Sequence, residues 1–264
     1  MKNIKEITPQ ELEAIKAITF DIDGVIIETG TELRENVDGT ELYMKSKQLS
    51  PEFIENLKEL KKHIKLNFSS GRNILYLRSL VNEVFDESVF LQAENGNLSW
   101  FEGDLSHPSY SPQYFQKLKL IRERIKEMMA KGDKRIRGFE PKMFILTTHS
   151  EKMDELPKLM QEIDPEGELY CLWTNEGYDV GSKTMNKGEG IKKLAEHLKI
   201  SPKEIMTTGN NYNDEQMLQV GTGVTVDPER VQADYFIEHQ SDQLGGVLLA
   251  EFLVNYYRQR GNKA

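Results

Sequence analysis

The sequence predicts an α/β protein with parallel strands, and three observations carry that prediction. Helical and strand patterns alternate along most of the 264 residues, as they do in βαβ units. Short apolar runs repeatedly end in polar residues, at Asp21, at Ser70 and at Gly209-Asn210. A stretch of different texture, about 103–182, interrupts the alternation. A core over 1–102 and 183–264, with a second domain inserted over 103–182, is therefore expected.

Each element has its own signal. Thr8 and Glu11 make a capping-box pair with Pro9 at the first helical position, so a short helix starts there. Ala17 to Phe20, AITF, reads as a strand running into Asp21. Ser50-Pro51 opens a helix to about His63. Ile64 to Ser69 reads as the next strand, with a helix after it over 74–84. Val89 to Ala93 is a third strand, and Glu94-Asn95-Gly96-Asn97 carries the Asn-Gly signal of a tight hairpin. Residues 103–112 read as a loop and 113–131 as a long amphipathic helix. Met143 to Thr148 looks like a strand. The helix near 151–163 contains Pro157, so it is kinked or starts late. Two strands, 168–173 and 178–181, meet at Asn175-Glu176-Gly177. The alternation then resumes with a helix over 188–198 and a strand over 205–208. A helix near Asp214, late strands over 223–226 and 235–237, and a closing helix over 244–258 complete the chain.

Composition narrows the function. Lys plus Arg is 34 and Asp plus Glu is 43, a net charge of −9. So acidic a chain is a poor binder of nucleic acid through its overall field. It offers no basic cluster beside an apolar segment for an anionic membrane. The longest apolar runs fall far short of the ~18 residues that span a bilayer. Charges run through MKNIKEITPQELEAI, so no secretory leader is read there. Cys171 is the single cysteine, which rules out an internal disulfide and suits a reducing, cytoplasmic setting.

Four polar points fall at strand ends or helix starts on one edge of the expected sheet, where open parallel sheets bind ligands. Asp21-Ile22-Asp23-Gly24 places two carboxylates two residues apart. A carboxylate of this kind can attack a phosphoryl group, and an acidic turn is the plainer alternative. Ser69-Ser70-Gly71-Arg72 supplies a hydroxyl and backbone N–H groups suited to an anion, or else an ordinary helix cap. Lys187 opens a helix, where a cation gains nothing from the helix dipole. It reads either as a phosphate-binding point charge or as a surface lysine. Gly209-Asn210-Asn211-Tyr212-Asn213-Asp214 gathers oxygen-bearing side chains suited to Mg2+, or forms a plain Asn-rich loop. Their joint placement favours a single site over four independent accidents.

These residues, in this order, resemble the haloacid dehalogenase-like superfamily over nearly the whole chain. DIDGV at 21–25, Ser70, Lys187 and 209–214 correspond to its four motifs. AENGN (93–97), NKGEGIKKL (186–194) and NDEQML (213–218) resemble its Cof-type sugar-phosphatase branch, with sucrose-phosphate and mannosyl-phosphoglycerate phosphatases and phosphomannomutase. The resemblance implies a Rossmann-like parallel-sheet core with an inserted, smaller α/β cap domain. It implies a phosphoric monoester hydrolase using Mg2+ and acting on a small phosphorylated metabolite, as a monomer or homodimer. Asp21 would be nucleophile and metal ligand. Asp23 would protonate the leaving oxygen, then activate water, and lend its carbonyl to the metal. Ser70, Gly71, Lys187 and Asn213 would hold the phosphoryl group, and Asp214 the metal.

One position departs from the branch: Asn210 stands where an Asp metal ligand is usual. A phosphomutase or a catalytically weakened, phosphometabolite-binding relative are the alternatives. Substrate choice is expected from the cap, with Arg137, Lys142, His149, Trp173 and Tyr178 as candidates. An aromatic would stack on a sugar and a cation would meet a second anionic group. Trp173 and Tyr178 also alternate like core residues of a sheet.

Overall fold

A computed structural model describes residues 1–237 and 243–261. In chain order the elements are β1 (Lys2–Asn3), α1 (Pro9–Ala14), β2 (Ala17–Phe20), β3 (Glu32–Glu35), β4 (Leu42–Lys45), α2 (Pro51–Leu60), β5 (Lys65–Ser69), α3 (Ile74–Leu80), β6 (Val89–Ala93), β7 (Leu98–Phe101) and β8 (Asp104–Ser106). They continue with α4 (Pro112–Ala130), β9 (Ile136–Glu140), β10 (Leu146–Ser150), α5 (Glu155–Ile163), β11 (Leu169–Trp173), β12 (Gly177–Ser182), α6 (Lys187–Leu198), β13 (Ile205–Gly209), α7 (Glu215–Val220), β14 (Thr222–Thr225), β15 (Tyr235–Phe236) and α8 (Gly245–Gly261). The chain forms two compact units, one of 1–29, 48–107 and 186–264, the other of 30–47 and 108–185. No helix of the described residues is long and apolar enough to cross a membrane.

The first unit holds a nine-stranded sheet in the order β1-β15-β14-β13-β2-β5-β6-β7-β8. From β1 to β6 neighbouring strands are parallel; β7 and β8 add antiparallel. All four residues of β2 are buried, as a central strand covered on both faces requires. Phe20 packs edge-on against Phe53 of α2 and stacks on Phe68 of β5. On the other side Ala17, Phe90 and Ile205 meet Ile191, Leu194 and Ala195 of α6. Helix α2 follows from Ser50, whose Oγ accepts the Phe53 N–H, and from Pro51 at its first position. Phe53, Ile54, Leu57 and Leu60 then line its buried stripe.

The second unit is an antiparallel sheet in the order β11-β12-β10-β9, with the hairpin β3–β4 as a separate two-stranded sheet. Helix α4 buries Tyr114, Leu118, Ile121, Ile125 and Met129 along one stripe. They join Leu156, Leu159 and Met160 of α5 and Phe139, Leu146, Leu169, Tyr178 and Val180 of the sheet in one core.

The fold expected from the sequence is the one found, and the differences have identifiable causes. The segment 103–112, read as loop, contributes β8 to the first unit's sheet, with Leu105 paired opposite Trp100. Residues 30–47 fall inside the expected core span 1–102, yet they carry the hairpin β3–β4, which the sequence does not predict, and group with the second unit. Glu35 binds it there, its Oε2 accepting the Phe139 N–H at 2.9 Å. Strand β9 escaped the sequence reading because Arg137 and Gly138 break its apolar run. Helix α5 does start late, with Pro157 in its first turn, where its missing N–H is harmless.

A partly buried ion pair ties the second unit's helix α4 to the start of β11. Asp164 Oδ1 accepts Lys117 Nζ at 2.6 Å, and Oδ2 accepts the Leu169 N–H at 2.7 Å. Burial alone would raise this carboxyl, but the hydrogen bonds from Lys117 and Leu169 outweigh it and hold the group below its ordinary value. A carboxyl lowered in the folded state stabilises above its unfolded value of ~3.9 and loses that contribution as pH falls through the folded value. Asp164→Asn is expected to cost about 1–3 kcal/mol at pH 7. Urea denaturation of both proteins at pH 7 and pH 3 checks this, the gap narrowing at the lower pH.

Candidate active site

The three central strands β2, β5 and β13 run parallel, so their carboxyl ends share one edge. Asp21 follows β2 directly, its N–H donating to Thr208 O at 3.0 Å. The chain then turns sharply, with Ile22 O accepting from Val25, Ile26 and Ile27. Gly24 carries φ +78°, and a Cβ there would lie 2.3 Å from Asn210 Nδ2. Only glycine allows both the left-handed turn and the Asn210 side chain over it.

Lys187 is the first residue of α6 and is fully buried. Its Nζ lies 2.6 Å from Asp21 Oδ1 and 2.6 Å from Asp214 Oδ1. A cation at a helix N-terminus opposes the dipole, so the two carboxylates hold it there. Asp214 is itself fixed, its Oδ2 accepting the N–H groups of Asn210 and Asn211 at 2.9 and 3.1 Å. Burial, and then the Asp214 charge, push the Asp21 carboxyl up to about 7 against the opposing pull of Lys187. Burial pulls the Lys187 ammonium down, but Asp21 and Asp214 more than reverse it, so it is raised and stays charged.

Asp23 meets a different cation. Arg72 donates to both its oxygens, Nε to Oδ2 at 3.0 Å and Nη2 to Oδ1 at 2.6 Å. This planar fork fixes geometry as well as charge. Arg72 is buried and was not among the site residues expected from sequence. The signal lay in its position, two residues after Ser70 on the same strand end. Ser70 is buried, with its N–H on Gln92 O and its Oγ accepting the Arg72 N–H at 3.2 Å. The cap of α3 is Asn73, whose side chain accepts the Tyr76 N–H, so neither Ser70 nor Gly71 opens the helix directly. The turn 94–96 buttresses this loop: Glu94 N–H donates to Arg72 O and Asn95 N–H to Ser70 O. Asn213 reaches Asn95 Oδ1 at 3.5 Å.

A divalent cation is implied here by the sequence resemblance, and the donor set accommodates one. Asp21 and Asp214 offer carboxylate oxygens, and Asp23 its backbone carbonyl. Among the described residues no three His, Cys, Asp or Glu side chains converge as ligands, so a cation here would also draw on amide and carbonyl oxygens. Asn210 Nδ2 donates to Asp23 O at 3.0 Å, which uses one lone pair of that carbonyl and leaves another. Oxygen ligands with one or two carboxylates suit Mg2+.

The second unit sorts its candidates by sheet face. Tyr178 is buried in the core, its hydroxyl bonded to Met153 N and O, and Trp173 packs beside it. The expectation that Tyr178 stacks on a sugar is therefore corrected, since its ring lies in the core with α4 and α5, whereas Trp173 is partly buried at the edge of that core. Lys142 and His149 belong to a buried polar cluster. Lys142 Nζ lies 3.4 Å from Glu140 and 3.7 Å from Asp179, and His149 Nε2 lies 3.5 Å from Glu140. Arg137 is half-buried and donates to Glu176 O. Cys171 is half-buried at the edge of the core, with its thiol pushed up to about 11 by burial.

A family model for haloacid dehalogenase-like hydrolases matches residues 109–243. A phosphoglycolate phosphatase of Methanopyrus kandleri is 25% identical over 177 residues, 65% of this chain and 73% of that protein. A phosphoglycolate phosphatase of Methanococcoides burtonii is 23% identical over 247 residues, 91% of this chain and 97% of that protein. Among solved structures, the C-terminal domain of trehalose-6-phosphate phosphatase from C. albicans superposes with a TM-score of 0.68 at 18% identity. It covers 94% of this chain and 96% of that one.

The charge arrangement has a measurable consequence. A carboxyl raised from ~3.9 to about 7 costs folded-state stability as pH climbs through that window. In EDTA at pH 8, Asp21→Asn is expected to be more stable than the unmodified protein by on the order of 1–3 kcal/mol, a gain that fades toward pH 4. Lys187→Met, which leaves two buried carboxylates without their cation, is expected to lose about 3 kcal/mol. Denaturant titrations across pH check both signs.

Proposed function

The chain belongs to the haloacid dehalogenase-like hydrolase family, and from that premise we propose that it hydrolyses the phosphate monoester of a sugar or similar small metabolite, using Mg2+ and an aspartyl-phosphate on Asp21. The observation that carries this reading is Lys187 held between Asp21 and Asp214 on the sheet edge that also presents Ser70. The names of the relatives point the same way: phosphoglycolate phosphatases by sequence and a trehalose-6-phosphate phosphatase by fold.

In this mechanism a carboxylate oxygen of Asp21 attacks phosphorus as the ester P–O bond breaks. Asp23, protonated once the Arg72 fork has opened, delivers that proton to the departing oxygen. Water then attacks the phosphorus of the aspartyl-phosphate, Asp23 takes the water's proton, and the Asp21–phosphorus bond breaks to release phosphate. Lys187, the Ser70 hydroxyl and the backbone of Gly71 hold the phosphoryl oxygens, with Asn213 ordering the group. Positioning and neutralisation of this kind supply most of the catalysis of phosphoryl transfer. Mg2+, held by Asp21, Asp214 and the Asp23 carbonyl, with Asn210 beside them, would supply further neutralisation of the phosphoryl charge. Both oxygens of Asp23 are engaged by Arg72, so the fork must open before Asp23 can face a leaving group. An incoming phosphate, which competes for the guanidinium, is suited to open it.

A second reading, a weakened relative that binds phosphometabolites, has one observation in its favour. Asn210 brings an amide in place of a third carboxylate and spends its N–H on the Asp23 carbonyl. Asn210→Asp separates the two readings, because a restored charge raises Mg2+ affinity and rate if the site turns over.

Phosphate release is to be measured on an aryl phosphate, phosphoglycolate and a panel of sugar phosphates, with Mg2+ and with EDTA. The expected result is Mg2+-dependent release that falls on the order of 10³-fold or more in Asp21→Asn. Full activity in that variant would overturn the nucleophile assignment. Tight phosphosugar binding without release, at high enzyme and metal, would favour the binding relative.

A further inference from the structure

The hairpin β3–β4 is anchored by one strand and open along the other. Leu33 of β3 is buried, and Glu35 is bonded to Phe139 N–H. Gly138 lies so close beneath that a Cβ there would sit 2.4 Å from Glu35 Cβ. Strand β4, by contrast, is exposed at all four residues, and among the described residues it pairs with β3 alone. Leu42, Tyr43 and Met44 are 44%, 50% and 36% exposed, and Val37 near the turn is 50% exposed. An apolar strand with an open edge is a template for another strand, and most proteins blunt such edges with charge, proline or a cover.

The backbone shows which groups face the open edge. Asn36 N–H donates to Glu41 O at 3.1 Å, so that pair belongs to the bonded set of an antiparallel ladder. Bonded and non-bonded pairs alternate, and the register runs Glu35 opposite Leu42, Arg34 opposite Tyr43 and Leu33 opposite Met44. Tyr43 therefore turns its N–H and C=O inward to Arg34. Leu42 and Met44 turn theirs outward.

We propose that β4 is a self-association edge, pairing antiparallel with β4 of a second copy about a twofold axis at Tyr43, so that two hairpins form one four-stranded sheet. The sequence Glu41-Leu42-Tyr43-Met44-Lys45 is complementary to its own reverse. Glu41 of each copy falls opposite Lys45 of the other, Leu42 opposite Met44, and Tyr43 opposite Tyr43. The outward N–H and C=O groups of Leu42 and Met44 meet in this register, as bonded pairs require. A slip of one residue sets Leu42 opposite Lys45 and loses both the charge match and the backbone match. A twofold contact uses the same patch on both copies, which a palindromic charge pattern satisfies. Strand-to-strand contacts are small, so the dimer is reversible and concentration dependent. The inference is independent of the catalytic reading.

Sedimentation velocity of the full chain over a dilution series tests it. The unmodified protein is expected to pass from dimer to monomer on dilution. Met44→Pro removes a donor that faces the open edge while sparing the bonds to β3. Glu41→Lys and Lys45→Glu each set like charges opposite one another twice. Each of the three raises the dissociation constant on the order of tenfold or more, with unchanged circular dichroism. An equimolar mixture of Glu41→Lys and Lys45→Glu recovers the dimer, because each copy then meets its complement. A monomer at every concentration, a dimer indifferent to all three substitutions, or a mixture that fails to recover would overturn the proposal.

Discussion

One buried ammonium group organises the first unit. Lys187 joins the end of β2, the start of α6 and the loop after β13 through two contacts of 2.6 Å. Without it, Asp21 and Asp214 would be two desolvated carboxylates in one site, and charges of like sign in a low dielectric repel strongly. With it, α6 must start where it does, against its own dipole, and Asp214 must keep its other oxygen on the Asn210 and Asn211 amides. The same arrangement that costs stability makes Asp21 a poised nucleophile in the reading proposed here. Local strain at a reaction centre, tolerated because the surrounding fold enforces it, is a familiar compromise.

The neighbouring pair follows a different logic. Asp23 and Arg72 are joined by two hydrogen bonds, but the carboxylate keeps a quarter of its surface exposed. A partly exposed pair is easier to exchange for water or a ligand than the buried Lys187 triad. Gly24 and Asn210 complete this corner. The left-handed turn at Gly24 makes room for the amide that rests on the Asp23 carbonyl. The departure at Asn210 is thus accommodated structurally, with an extra hydrogen bond where a charge would otherwise stand.

The second unit divides its chemistry between the two faces of one sheet. Tyr178, Val180 and Phe139 point to the helices and form the core. Glu140, Thr147 and Asp179 alternate with them, lie opposite one another on neighbouring strands, and gather Lys142 and His149. A sheet with one apolar and one polar face is the ordinary outcome of antiparallel pairing. The hairpin β3–β4 attaches to this unit through Leu33 and Glu35 of β3 and through the Gly30 and Thr31 N–H groups on Glu176 just before it, while every residue of β4 is exposed.

Much of this was legible in the amino-acid sequence. The period of apolar residues and the caps at Thr8 and Ser50 located most elements to within a few residues, because local backbone chemistry decides them. The four polar points at strand ends followed from the same alternation, since parallel strands carry their carboxyl ends to one edge. Three things lay beyond the sequence. The hairpin at 32–45 has no strict alternation, because only Leu33 is buried there. The assignment of 30–47 to the second unit depends on contacts over a hundred residues away in sequence, from the Phe139 N–H to Glu35 and from the Gly30 and Thr31 N–H groups to Glu176. The pairing of Asp23 with Arg72 required knowing which side chains face each other. Sequence alone determined which residue types stand at each strand end, because their order along the chain is enough. Only tertiary structure decided which charges neutralise which, because that depends on distances across the sheet that no local pattern encodes.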